Sequence, residues 1–118
     1  MRRDNLGANH PKTIGAMTTN GVVLRDLGKL EKAWTVEQRA LAKAADNLGT
    51  RHWRTSRAAL VAARIQDRRG DDARAADLRA RYLHWLLDED AANLADKPAS
   101  LRGELRADMR HPTAASGQ

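Results

Sequence analysis

Between Val22 and Leu48 the apolar residues Val23, Leu27, Leu30, Trp34, Leu41, Ala44 and Leu48 recur in alternating steps of four and three, with Glu37 in the one polar slot. That spacing keeps one face of a helix apolar, in a heptad-like stripe. Within it, Thr35-Val36-Glu37-Gln38 has the form of a capping box, in which a threonine and the glutamine three residues on satisfy each other's backbone N–H groups. One helix over 22–48, or two that meet at Thr35, both fit. Asn47-Leu48-Gly49 closes the stretch, because glycine accepts the left-handed conformation of a helix C-terminus. Thr50 is then the expected N-cap of a helix over 50–69 that stops at Gly70, and Asp71 or Asp72 caps a further helix over 72–94. On that helix Leu78, Tyr82, Leu83, Leu86, Leu87 and Leu94 form the buried side. The Gly70-Asp71-Asp72 connection is so short that the two helices must fold back on each other as an antiparallel hairpin.

The ends of the chain carry no such period. Asn9, His10, Pro11 and Gly15 precede an Asn20-Gly21 turn signal, so residues 1–20 are expected to form an irregular arm. Lys97-Pro98-Ala99-Ser100 breaks the chain after the helical domain of residues 21–96. Within 97–110 a short helix is expected from Leu101 to Met109, and the small, polar residues 111–118 should form a flexible tail. No segment alternates as a strand does. The predicted fold is all-α: a small helical bundle with a central antiparallel hairpin and irregular terminal arms.

Composition changes this picture in two ways. Leucine occurs 14 times, phenylalanine never, and alanine 22 times, so the interior must be built from closely approaching, alanine-faced helices. Burying a large apolar side chain gains roughly 1.5–3 kcal/mol, whereas ordering the backbone costs roughly 1–2 kcal/mol per residue. So thin a core points to self-association into an oligomer. The chain also carries a net charge of +6, unevenly spread: 8 bases meet 5 acids in residues 1–50, 9 meet 4 in 51–82, and 4 meet 6 in 83–118. A basic middle suits a polyanion, and the acidic C-terminal part suits a basic protein partner. The absence of cysteine removes disulfides and thiolate metal sites and fits a reducing compartment. With no long apolar run and no hydrophobic leader in MRRDNLGANHPKT, the expected location is cytoplasmic, with no membrane partner.

The candidate chemistry lies in residues 51–69, where Arg51, Arg54, Arg57, Arg64, Arg68 and Arg69 face a single acid, Asp67. Leu41 to Leu60 resembles a DNA-binding helix-turn-helix: Ala45 is the small residue at the crossing, Leu48 a core contact and Gly49 the turn. Arg51, His52 and Arg54 would then open the recognition helix and face base edges or phosphates, with Thr50 and Thr55 placed to contact the DNA backbone. Thr50 and Thr55, however, stand where such motifs usually place aliphatic core residues. On a helical wheel Arg54, Arg57, Arg64 and Arg68 fall within about a quarter-turn, a stripe able to neutralise several phosphates. The competing arrangement is a solvated basic face paired with Asp67, Asp71, Asp72 and Asp77. Trp53 offers a ring for base stacking, although a tryptophan at a helix start is more often a core or subunit contact. Trp34 and Trp85 follow core spacing. The four histidines lack metal-ligand spacing, and His84 and Asp88, four apart, read as a side-chain pair. No nucleophile-base arrangement, phosphate loop or carboxylate pair is evident, so no enzyme, cofactor, metal or small-molecule ligand is expected.

This plan of a helix-turn-helix-like unit, a central hairpin and an acidic C-terminal helix resembles that of phage small terminase subunits, over about residues 37–110. The resemblance implies DNA recognition by the first unit, with contacts from Arg51, His52 and Arg54. It also implies ring assembly through the hairpin and a C-terminal contact with the large subunit, in which case the protein would be a virion assembly component. Two other readings stand beside it. One is a structural or adaptor subunit of a large assembly, such as a virion head-tail connector; the other is a small helix-turn-helix transcriptional regulator that dimerises through the Val23 to Leu48 stripe.

Overall fold

The computed structural model describes residues 10–110. Six α-helices follow one another: α1 (Pro11–Asp26), α2 (Leu30–Leu48), α3 (Trp53–Arg69), α4 (Asp72–Tyr82), α5 (His84–Asp88) and α6 (Asp96–Arg110). A single 3₁₀ turn, Ala91–Asn93, lies between the last two. The all-α bundle is as expected, and among the described residues there is no strand.

Helix α3 is the axis of the molecule. Ala58, Ala59, Leu60, Val61, Ala62 and Ala63 are all buried, six in succession, so the helix is covered on every side rather than along one stripe. Helices α1, α2, α4 and α6 all pack against it. Alanine makes this possible: Ala33, Ala40, Ala44, Ala58, Ala59, Ala62, Ala63 and Ala75 are fully buried, and their small side chains let the neighbouring backbones approach. Leu60, Leu83, Leu86, Leu101 and Leu105 supply the larger volume of the main cluster, with Trp53, Tyr82 and Trp85 packed at its edge.

The hairpin of α3 and α4 forms as its glycine and aspartate predict. Gly70 adopts the left-handed conformation (φ 82°), and the N–H groups of Gly70 and Asp71 donate to the carbonyls of Asp67 and Gln66, which closes the helix in a Schellman pattern. Asp71 then caps α4 by accepting from the Arg74 N–H. Ser56 Oγ, near the start of α3, donates to the carbonyl of Tyr82 at the end of α4, so the arms run antiparallel.

Six boundaries differ from the sequence-based expectation. The expected irregular arm is helical from Pro11 onwards; residues 1–9 and the expected tail, 111–118, lie outside the described residues. Pro11 starts α1 where a missing N–H is harmless, and His10 Nδ1 caps it by accepting from Lys12 N at 3.1 Å. Asn20-Gly21 is no turn, because Gly21 is buried where α1 crosses α2, and a Cβ there would collide with Glu37 Oε2. Residues 22–48 are divided, but at Leu27-Gly28-Lys29 rather than at Thr35. Gly28 (φ 79°) and Lys29 close α1 with the same Schellman pattern, whereas the Thr35 hydroxyl bonds back to the Glu31 carbonyl inside α2.

The third helix begins at Trp53, not Thr50, with His52 as its cap. The expected helix over 72–94 stops at Tyr82, resumes as α5 and ends at Asp88. Arg102 of α6 takes over the end of α5, donating to the carbonyls of Leu86 and Glu89. Helix α6 itself starts five residues earlier than expected, because Pro98 falls in its first turn, where proline is tolerated.

Candidate nucleic-acid interface

Helix α3 delivers the arginines of its stripe to two different neighbours, while Arg69 pairs with Glu31 of α2. Arg54 Nη1 donates to the Pro11 carbonyl at 3.2 Å and Arg57 Nη1 to the Gly15 carbonyl at 3.4 Å. Arg57 Nη2 reaches Thr19 Oγ1 at 3.2 Å, and Arg68 Nη1 the Arg25 carbonyl at 2.7 Å. All these acceptors lie on α1. Arg64, at the edge of the same stripe, turns the other way and binds α6: Nε and Nη2 meet the Asp108 carboxylate at 2.7 and 3.0 Å, and Nη1 meets Glu104 at 3.2 Å. This two-pronged pair raises the Arg64 pKa further, against the opposing effect of burial. The stripe is therefore not the solvated face paired with the hairpin acids. Asp67 pairs with Arg79, Asp71 with Arg74 and Asp77 with Arg81.

The residues expected to open a recognition helix form the turn before α3. Thr50 and Arg51 are exposed there. Arg51 is only loosely held, 65% exposed, with Glu89 at 3.3 Å and its guanidinium over the Trp85 ring at 5.6 Å. His52 is half-buried, and its Nδ1 accepts from Arg54 N at 3.0 Å, a contact that needs an unprotonated Nδ1. Burial first, and the Arg54 charge second, lower the His52 pKa. Thr55 is fully buried and donates to the Gly49 carbonyl at 2.7 Å, so it ties the turn instead of meeting a DNA backbone. Trp53 is packed against the core, with Arg54 and Lys97 at 4.6 and 4.9 Å from its ring centre. Thus Thr50, Arg51 and His52 stay together at one corner, Arg54 and Arg57 are half-buried against α1, Arg68 reaches the end of α1 while remaining exposed, and Arg64 goes to α6.

A further set of cations forms a row on α2. Lys29, at its N-terminus, and Lys32, Arg39 and Lys43 within it have no ion-pair partner among the described residues, and the first three are exposed. At 100° per residue they share an arc of about 80°, and Lys29 to Lys43 spans about 21 Å at 1.5 Å per residue. The signal was the same helical spacing that marked the apolar stripe, taken on the opposite face. Asp46 is the one acid near that arc.

Beneath α1 lies a second feature that pattern alone did not disclose. Glu37 is 0% exposed, and neither its carboxyl oxygens nor the buried Thr18 hydroxyl beside it completes a hydrogen bond. Burial pushes the carboxyl up to about 8; Thr18, then the Arg57 and Arg25 charges, pull the other way. Burial thus favours the neutral acid where α1, α2 and α3 meet.

Among the described residues no group of three His, Asp or Glu side chains is arranged to hold a metal ion. His84 and Asp88 form the expected exposed pair at 3.3 Å. No helix there is long and apolar enough to cross a membrane. No protein-family model, curated protein or solved structure matches the chain.

Proposed function

We propose that the protein is a non-enzymatic, DNA-associating helical module that meets the phosphate backbone with the outer face of α2 and the adjoining turn of Thr50, Arg51 and His52. The observation that carries this reading is the row of four cations, Lys29, Lys32, Arg39 and Lys43, left without acids in a molecule that pairs most of its other arginines internally. Such a row reads charge rather than sequence, so binding should be salt-sensitive and tolerant of base composition. The experiment is titration of a labelled duplex of about 20 base pairs, long enough to cover the row, at several salt concentrations. Affinity should fall steeply with salt, and replacing the four cations by glutamine should flatten that slope; an unchanged slope removes α2 from the interface.

A second reading, a structural or adaptor subunit, draws on the elbow between α1 and α2. Val23 and Leu27 are exposed there, Leu27 to 65%, beside a shallow, mainly apolar groove lined by Leu24, Glu31, Lys32, Thr35 and Val36. Exposed apolar side chains beside a groove suit a second copy or another protein. Light scattering separates the forms: a ring fits a phage DNA-packaging subunit, a dimer fits a regulator, and a monomer without DNA affinity fits an adaptor.

A further inference from the structure

We infer that α1 is a displaceable cover over a second phosphate-binding site, made of the half-buried Arg54 and Arg57 on α3 with the exposed Arg68 at its rim, and that duplex DNA competes with α1 for these three guanidiniums. The inference rests on the DNA-associating reading and adds to it a masked site and its control.

Three observations support it. First, the three arginines meet only uncharged acceptors on α1, the carbonyls of Pro11, Gly15 and Arg25 and the Thr19 hydroxyl. Their charge is not neutralised, in contrast to Arg64, which meets two carboxylates. A phosphate offers each of them an anionic acceptor, and so an ion pair, in place of a bond to a neutral oxygen.

Second, α1 rests mainly on α2 and reaches α3 without an ion pair. Only Ile14, Thr18 and Gly21 are buried on it, and among the described residues it makes no salt bridge to another element. Its sequence, PKTIGAMTTNGVVLRD, holds two glycines and five β-branched Thr and Val residues among sixteen, a composition that does not sustain a helix without its neighbours. Segments with few buried apolar contacts are the ones that open locally below the global unfolding free energy.

Third, docking of α1 buries a carboxyl group. Thr18 and Gly21 lie on Glu37, which faces Arg25 from α1 and Arg57 from α3 and has no completed hydrogen bond. When α1 lifts, water reaches Glu37 and the acid ionises. Opening therefore releases a proton, and rising pH between about 4.5 and about 8 favours the open form. Binding at the uncovered arginines should then tighten as pH rises through that window, opposite to the trend from losing histidine charge.

The test uses the full chain with the same labelled duplex, read by affinity and by hydrogen exchange of α1 amides. Bound duplex should speed α1 exchange at least tenfold while α3 stays protected. Gly21→Leu, which cannot seat against Glu37, should tighten binding by about tenfold, and the gain should vanish when Arg54, Arg57 and Arg68 are also changed to glutamine. Should Gly21→Leu fail to fold, Ile14→Ala loosens the same helix and carries the same expectation. Glu37→Gln should abolish the pH-driven tightening. Duplex binding with α1 fully protected, or loosened variants that bind no better, overturns the cover while leaving the α2 interface standing. Absence of binding by both the native chain and Gly21→Leu overturns the DNA reading and the cover together.

Discussion

The two flanks of α3 are held by opposite means. On the α6 side Leu101 and Leu105 enter the main core and Arg64 grips Asp108 and Glu104. On the α1 side a single large apolar residue, Ile14, is fully buried, and the arginines hold main-chain carbonyls. Neutralised charge beside apolar burial locks an element in place; unneutralised charge leaves it poised between its own chain and a stronger acceptor. Positive charge on a helix thus does different work according to what answers it, and counting arginines does not separate the two.

Core truncation should separate the flanks most widely. Leu105→Ala is expected to cost about 3–4 kcal/mol of global stability, because a fully buried leucine leaves a cavity. Ile14→Ala should instead release α1, visible as faster amide exchange over residues 14–26 with a smaller shift in global Tm. Equal global losses would show that α1 belongs to the same cooperative unit as α6.

Next in size is the pH effect of Glu37. Its carboxyl titrates near 8 in the folded chain against 4.5 when exposed, so the folded state keeps a proton that the unfolded state gives up. Stability from this group is therefore fully present below about 4.5, falls as pH rises to about 8 and is level beyond. The difference between native chain and Glu37→Gln in urea denaturation isolates it and should amount to several kcal/mol across that window. His52 contributes with the other sign: its lowered pKa means that stability is lost as pH falls below the ordinary value of 6.5. Should the native chain and Glu37→Gln run parallel from pH 5 to 9, the carboxyl is not buried in solution.

The charge contrast itself gives a smaller and directional effect. Asp108→Asn leaves Arg64 half-paired and should cost about 2 kcal/mol, whereas Arg57→Gln gives up bonds to neutral acceptors and should cost about 1 kcal/mol, confined to α1 exchange. A reversed order would mean that the α1 side is the stronger clamp.

How much of this could be read from the sequence depends on how far each signal reaches along the chain. Gly70 and Asp71 stop one helix and start the next through bonds within five residues, so the α3 and α4 hairpin was legible. Gly21 looks like a turn beside Asn20 because its actual duty, making room for Glu37, is set by a residue sixteen positions away. The break at Gly28 hides because Leu27 and Leu30 keep the helical phase across it, and Pro98 signals an end only until its place in a first turn is known. The arginine stripe was legible as a stripe, but its acceptors lie 38 to 44 residues distant, and three of them are carbonyls, which no side-chain pattern records.

The free row on α2 gives the smallest effect on stability and the sharpest on binding. Lys29, Lys32, Arg39 and Lys43 touch no acid, so changing all four to glutamine should leave Tm nearly unmoved, each site within about 0.5 kcal/mol. If each meets one phosphate, the same change should lower the salt slope of duplex binding by about 3 to 4, at roughly 0.9 per phosphate. Arg51→Ala should lower it by about 1 more, since its exposed pair with Glu89 is worth little and is screened by the same salt. A slope that falls without a change in Tm assigns the row to binding. A Tm that falls with it would mean these side chains answer to the fold, as those of α3 do, and that the two helices differ less than their contacts suggest.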